Sequence, residues 1–431
     1  LINHLGQHTG HGMYGGGLNM SDMNATPVAS RLHIAIFGRR NAGKSSIINA
    51  VTNQPIALVS DVPGTTTDPV HKTMELLPLG PVVFIDTAGL DDEGPLGEMR
   101  VKRTYEVLDR TDLAVLVLDG RLGLTDFERD LAKTIRERKI PLVGVVNKTD
   151  LPDFDRGKVE EWGKELGLSL VEVSTLTGVG IEALKMELIR KAPGGDQELT
   201  LVGDLIKPGD FVILVVPIDK AAPKGRLILP QQQVIRDLLD HGAIAVVTKE
   251  SELRETLEQL GKRPALVVTD SQVFAKVDAD TPKEIPLTSF SILMARQKGD
   301  LAELVQGAKA VMKLKPGDKV LIAEACTHHR QSDDIGTVKI PRWLEQKVGG
   351  KLEFHWASGI SLPGDLSQYH LIVHCGSCMI NRREMMARLN RAKSQGVPVV
   401  NYGVLIAFVL GILPRALQPF PAIQKAFIEG K

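Results

Sequence analysis

Three cysteines among 431 residues, all in the last quarter of the chain, leave no room for a disulfide framework. So odd and sparse a set fits a reducing, cytoplasmic setting. An excess charge of one sign is also lacking, since Lys plus Arg and Asp plus Glu both number 52. Zero net charge removes the general electrostatic reason to expect a nucleic-acid partner, and aromatics at 4% offer few surfaces on which bases could stack. The longest apolar run, Val404 to Leu413, falls well short of the ~20 residues a spanning helix needs. It predicts a buried helix, and no membrane partner is expected. The first twenty or so residues, rich in Gly, His and Asn, show neither a signal-like apolar segment nor a helical period, so residues 1–29 are expected to form a disordered leader.

The rest has an ordinary globular composition, 43% hydrophobic and 24% charged, at a length that suits about three domains. From Leu32 onward, apolar runs of strand length alternate with amphipathic stretches. Leu32–Phe37, Val82–Ile85, Leu113–Leu118, Leu142–Val146 and Leu170–Val173 read as parallel strands buried on both faces, with helices at Phe127–Arg138 and Ile181–Lys191. This predicts a doubly wound, mainly parallel sheet over 30–195, closed by the breaker Ala192-Pro193-Gly194-Gly195-Asp196. Two smaller α/β domains are expected to follow, at 196–288 and 289–431. Their expected strands are Phe211–Val216, Ala243–Val247, Ala265–Val268, Lys319–Ala323, His370–Val373 and Pro398–Asn401. The pattern breaks around Ile285 to Ser291, which sets the softer boundary.

Gly38-Arg-Arg-Asn-Ala-Gly43-Lys44-Ser45 is a full phosphate-binding loop between a strand and a helix. Glycines let the backbone N–H groups of Gly38, Asn41, Ala42, Gly43, Lys44, Ser45 and Ser46 wrap phosphates at a helix N-terminus. Lys44 would reach the outer phosphates and the Ser45 hydroxyl would ligate Mg2+. Asp86-Thr87-Ala88-Gly89 ends a strand and sets a carboxylate toward magnesium, with the Gly89 amide toward a γ-phosphate. In Asn147-Lys148-Thr149-Asp150, Asp150 can accept both hydrogen bonds from a guanine edge while Lys148 lies along the ring. Adenine offers no such donors, so the motif selects GTP. Ser174-Thr175-Leu176 suits a last base-binding loop. Each motif alone fits a plain strand-end turn; in order, at the carboxyl ends of strands, they outweigh that reading.

This set resembles the translation-factor-like small GTPases, and among them the tRNA-modification and ribosome-assembly branch. The resemblance covers about residues 30 to 195. It implies that Thr66 of Gly64-Thr65-Thr66-Thr67 ligates magnesium, with Thr65 and Thr67 as alternatives. Leu90 stands where Ras-like proteins carry a water-orienting Gln. The resemblance implies instead that Asn41 helps hold a K+ ion. Lys44, Asn41, Thr66 and Gly89 are then the expected catalytic set.

Cys326-Thr327-His328 and His374-Cys375-Gly376-Ser377-Cys378 each follow a predicted strand, so two loops of one sheet can converge. Buried structural thiols, a Cys375/Cys378 redox pair, a Cys3His zinc site and a 4Fe–4S cluster all remain open on spacing alone. With the GTPase motifs upstream, the arrangement resembles the FeFe-hydrogenase maturation GTPases, the HydF family. That resemblance runs from about residue 30 to the end. It implies a scaffold that holds a 4Fe–4S cluster on Cys326, Cys375 and Cys378, and that receives a diiron precursor from radical-SAM maturases for delivery to apo-hydrogenase. It also implies a dimerising middle domain. His328 and His374 match family positions, each as a fourth ligand or as a donor to one. An RNA-modification or ribosome-assembly GTPase with a structural zinc is the competing reading, and a GTP-regulated thiol oxidoreductase is a third.

Overall fold

The computed structural model describes residues 26–53, 70–87, 103–193, 200–218, 227–325, 334–359 and 362–430, and within them the chain builds three sheets. The first contains β1 (Leu32–Gly38), β2 (Val70–Leu76), β3 (Gly80–Asp86), β4 (Leu113–Asp119), β5 (Leu142–Asn147) and β6 (Leu170–Glu172). Their order is β2-β3-β1-β4-β5-β6, with every neighbour parallel except the antiparallel pair β2 and β3. β4 and β5 are buried at every position, as strands covered on both faces must be.

The helices that cover them are α1 (Lys44–Thr52), α2 (103–108), α3 (Asp126–Glu137), α4 (Gly157–Leu166) and α5 (Ile181–Lys191). Side chains alternate across the sheet. Ile34 and Ile36 of β1 join the core under α1 and α5, with Ile47, Ile48, Leu184 and Leu188. Ala35 and Phe37 join the opposite core with Leu108, Leu131, Ile135 and Leu166 from α2, α3 and α4. The sheet is therefore wound on both faces. Because β1, β3, β4 and β5 run the same way, Gly38, Asp86, Asp119 and Asn147 emerge along one edge.

The second sheet, in order β10-β9-β7-β8, is wholly parallel: β7 (Phe211–Val215), β8 (Ile244–Thr248), β9 (Leu266–Thr269) and β10 (Leu287–Ser289). Its helices are α6 (Leu229–Asp240), α7 (Leu253–Gln259), α8 (Phe274–Asp280) and α9 (Phe290–Lys298). The third sheet, β12-β11-β13-β14, is parallel too: β11 (Lys319–Glu324), β12 (Glu353–Ser358), β13 (Leu371–His374) and β14 (Val399–Asn401). Around it lie α10 (Leu301–Lys309), α11 (Ile340–Val348), α12 (Arg382–Ser394), α13 (Tyr402–Val409), α14 (Leu413–Ala416) and α15 (Pro421–Ile428). No helix among the described residues is long and apolar enough to cross a membrane.

Three expectations need correction. The expected leader 1–29 runs into described structure, since Val28–Ser30 form a 3-10 turn and the carbonyl of buried Ala29 accepts from Lys298 Nζ at 3.0 Å; residues 1–25 lie outside the described residues. The boundary at 288/289 falls inside β10, and the expected break from Ile285 to Ser291 holds that strand and the start of α9. β10 escapes a periodicity reading because it is Leu-Thr-Ser, with both hydroxyl residues fully buried. Nor do the second and third sheets have separate cores. One continuous apolar cluster runs from Leu201 to Phe420 through both. The apolar run at Val404–Leu413 is split by Gly411, at φ 73°, between α13 and the first residue of α14.

Candidate functional site

At the edge where β1 ends, two glycines are required by space. A Cβ on Gly38 would lie 2.4 Å from the Val117 carbonyl oxygen, and one on Gly43 (φ 95°) would lie 2.1 Å from Asn147 Nδ2. The turn between them opens α1 at Lys44, so N–H groups of the loop and first helical turn point at an incoming anion. Lys44 is buried, its ammonium donating to the carbonyls of Gly38 (2.9 Å) and Arg39 (2.8 Å) within the loop. Ser45 Oγ donates to Asp86 Oδ2 at 2.6 Å, which joins two of the three expected magnesium ligands. Burial raises the Asp86 carboxyl, and the Ser45 bond and the charges of Lys44 and Lys72 only partly offset it. Thr87 Oγ1 donates to the Ile36 carbonyl at 2.6 Å and ties this strand end to β1. Ser46 is half-buried in the first turn of α1.

Asn147 stitches the phosphate loop to the base-binding loops. Its Nδ2 donates to the Ala42 carbonyl at 3.0 Å, and its Oδ1 accepts from Thr175 N at 3.3 Å. Lys148, at φ 66°, donates to the Asn41 carbonyl (2.5 Å) and to Asp119 Oδ2 (2.6 Å). Ser174 Oγ donates to Asp150 Oδ1 at 2.6 Å, beside a pocket of about 290 Å³ that Thr149, Arg156, Glu172 and Thr177 also line. Leu176 is 83% exposed. The structure thus gathers Gly38, Asn41, Ala42, Gly43, Lys44, Ser45, Asp86, Asn147, Lys148, Asp150, Ser174 and Thr175 at one end of one sheet. Thr65, Thr66, Thr67, Gly89 and Leu90 lie outside the described residues.

Sequence reasoning missed Asp119, although it carries the same signature as Asp86, a carboxylate ending an apolar strand. Burial alone would raise its carboxyl, but hydrogen bonds from Arg121 and Lys148 overcome that and hold it down at about 2. It therefore stays a carboxylate that aims Lys148. Arg39 was missed as well. Its Nε donates to the wholly buried Glu128 at 2.6 Å, and its Nη2 donates to the Gly123 carbonyl at 2.8 Å.

In the third sheet, β13 ends at His374 and delivers Cys375 and Cys378, both half-buried. Cys375 N donates to the Ala323 carbonyl at 2.9 Å, and Ala325 N donates to Cys375 Sγ at 3.2 Å. Cys326, the residue after Ala325, lies outside the described residues, as does His328. Burial pushes the Cys375 thiol up, against the backbone bonds from Ala325 and Ser377. Ser377 takes a left-handed φ of 59° between the two cysteines. His374 is almost wholly buried; its Nε2 accepts from Arg388 Nη1 at 3.0 Å, and its Nδ1 lies 3.0 Å from the Cys375 carbonyl. Desolvation, with the Arg388 charge, lowers its pKa to about 3. The imidazole is neutral, with Nδ1–H donating, and offers neither nitrogen to a metal. Among the described residues no three His, Cys, Asp or Glu side chains gather as a metal requires, and Cys326 is not among them.

A phosphate loop, a magnesium-side carboxylate and a guanine-reading loop on one doubly wound sheet define a P-loop GTPase domain. Residues 33–148 match the family of 50S ribosome-binding GTPases. Residues 201–299 match the hydrogen maturase F dimerization domain, and residues 302–419 match the tetramerization domain of the same protein. The chain belongs to the hydrogen maturase F (HydF) family.

The curated relatives MnmE and Der match through the GTPase portion. The tRNA modification GTPase MnmE of Chromobacterium violaceum is 36% identical over 37% of this chain and 34% of its own length. GTPase Der of Kosmotoga olearia is 37% identical over 47% of this chain and 48% of its own. The chain thus spans from about a third to a half of the curated relatives it matches. Among solved structures, Aquifex aeolicus Era bound to GDP.AlF4- shares 20% identity over 53% of this chain and 98% of that one, with a TM-score of 0.35. The G domain of T. maritima FeoB shares 25% over 37% and 98%, with a TM-score of 0.29. Superpositions this loose carry no functional weight.

Proposed function

We propose that the chain is a GTP-hydrolysing scaffold that binds a 4Fe–4S cluster and passes a diiron precursor to apo FeFe-hydrogenase. The observation that carries the reading is the paired thiol loop. Cys375 and Cys378 stand at the end of β13, and the amide beside Cys375 Sγ belongs to the residue just before Cys326. The donor set fits the group: two cysteine sulfurs at the carboxyl end of a parallel strand, a backbone N–H already directed at one of them, and a small Gly376-Ser377 turn. Cys326, Cys375 and Cys378 would hold the cluster, which when bound supplies one iron with an exchangeable position. His374, locked by Arg388, orients the loop. His328 is the remaining histidine candidate for that fourth position.

In the GTPase domain, Ser45, Thr66 and Asp86 serve magnesium, and Asn41, in left-handed backbone at φ 60°, serves a potassium ion. Equal GTP turnover in potassium and sodium salts would remove Asn41 from that role. Hydrolysis acts as a switch for partner exchange with radical-SAM maturases and the apo-hydrogenase in the cytoplasm. A homodimer is supported by β8, an edge strand that leaves Ile244 and Val247 43% and 48% exposed.

The deciding experiment is anaerobic reconstitution with iron and sulfide, followed by EPR of the wild type and of Cys326→Ser, Cys375→Ser and Cys378→Ser. Each variant is expected to lose most of its cluster while keeping GTP turnover. A normal cluster after loss of any one thiol, or zinc that iron cannot replace, overturns the reading.

A further inference from the structure

Asn381, Arg382 and Arg383 follow Cys378 closely and open α12. Between them they bind two other parts of the chain. Asn381 Nδ2 donates to the Arg110 carbonyl at 2.8 Å and lies 3.3 Å from Asp112 Oδ2, both in the GTPase domain. Arg382 Nη1 donates to the carbonyls of Gln297 (2.8 Å) and Gly299 (2.7 Å), at the C-terminal end of α9 of the middle sheet. Arg383 Nη1 donates to the Arg138 carbonyl at 3.3 Å, at the end of α3, and its Nε stands 3.9 Å from Asp112. Three consecutive side chains thus meet two other parts of the molecule. Asn381 is 6% exposed, and its Oδ1 also caps α12 by accepting from Glu384 N at 3.0 Å. Every hydrogen-bonding direction but one of its amide is spoken for.

The other contacts of α12 lead to the thiols. Glu384 and Arg388 form a buried ion pair at 2.9 Å. Arg388 holds His374 Nε2 and the Gly359 carbonyl. His374 bonds the Cys375 carbonyl, and Ser377 Oγ lies 3.1 Å from Met385 Sδ. The inner face of this 13-residue helix therefore grips the loop from 374 to 377. On the GTPase side, Arg110 lies two residues past α2, and Thr111 Oγ1 donates to the Val107 carbonyl of that helix at 2.7 Å. Asp112 Oδ2 accepts from His33 N at 2.9 Å, at the foot of β1, the strand that ends in the phosphate loop. A shift of α2 or β1 on nucleotide exchange must therefore be absorbed at Asn381 or passed along α12.

We propose that Asn381, Arg382 and Arg383 are positioning residues through which the nucleotide in the GTPase domain sets the exposure of Cys375 and Cys378. The proposal rests on GTP binding by the first domain but not on any cluster at the thiols, so its test can run on metal-free protein. The full chain carrying Cys326→Ser leaves two reporting thiols. Their labelling rates with 5,5′-dithiobis(2-nitrobenzoate) are compared with GDP and with a non-hydrolysable GTP analogue, both at saturating Mg2+. A difference of at least about fivefold between the two nucleotides is expected. It should fall below about twofold in Asn381→Ser and in Arg383→Met. Serine keeps a capping hydroxyl but cannot reach Arg110, so helix stability and coupling are separated. Arg383→Met leaves the cap untouched and serves if the serine variant folds poorly. Fluorescent-nucleotide titration confirms that each variant still binds both ligands. Equal labelling rates with the two nucleotides in the parent would overturn the proposal. So would an undiminished difference in both variants, since the junction would then be glue and nothing more.

Discussion

Gly43 shows how much of the nucleotide site depends on one missing methyl group. Its φ of 95° is costly for any other residue, and a Cβ there would sit 2.1 Å from the amide of Asn147. That amide cannot retreat freely, because it bonds Ala42 on one side and Thr175 on the other. Gly43→Ala should therefore weaken GTP binding by about 10- to 100-fold, given a local strain of about 1–3 kcal/mol, while the other two sheets melt as before. Fluorescent-GTP titration checks this, and wild-type affinity would mean that Asn147 does not brace the loop. At this scale the placing of the two glycines and of Asp150 at one end of the sheet was legible because their motifs are local. The role of His374 was not. Whether it ligates a metal or orients a loop depends on Arg388, fourteen positions on in the sequence and placed against it only by α12.

Among elements, α3 looks like an ordinary amphipathic cover, yet its first turn anchors the phosphate loop. Glu128 is fully buried; Oε1 takes the Arg39 guanidinium at 2.6 Å while Oε2 accepts from Thr125 N at 2.9 Å, completing the capping box of α3. Glu128→Ala strands Arg39 and uncaps the helix, and should cost about 3–5 kcal/mol. Glu128→Gln, which keeps an acceptor, should cost less. Thermal unfolding followed with and without GDP tests this, and an unchanged midpoint in the alanine variant would contradict it. The five parallel strands of the first sheet were readable from their apolar runs, whereas β2, with His71, Lys72 and Glu75 along it, has none and was missed. β10 was not readable either, because its two buried hydroxyl residues have no hydrophobic signature. Nor was the junction at Asn381, whose meaning is set by the Arg110 carbonyl and the Asp112 carboxylate, 271 and 269 positions away in the sequence.

For the molecule as a whole, the strand order leaves β8 at an open edge with Ile244 and Val247 uncovered. A lysine there should block pairing of two such edges. Val247→Lys is expected to shift sedimentation toward smaller species with GTP affinity intact, since the nucleotide lies on another sheet. An unchanged assembly would place the contact elsewhere. The shared core of the second and third sheets has a further consequence, for the order in which the chain leaves the ribosome. The nucleotide-binding sheet has all its strands once residue 172 is made. By contrast, α10 lies so close on β14 that a Cβ at Gly307 would be 1.8 Å from the Val399 carbonyl oxygen. Until Val399 emerges, α10 lacks the strand it packs on, so the nascent protein holds a finished GTPase ahead of an unfinished body. Stalled chains ending before that residue should bind GTP yet be cut readily by protease beyond residue 200.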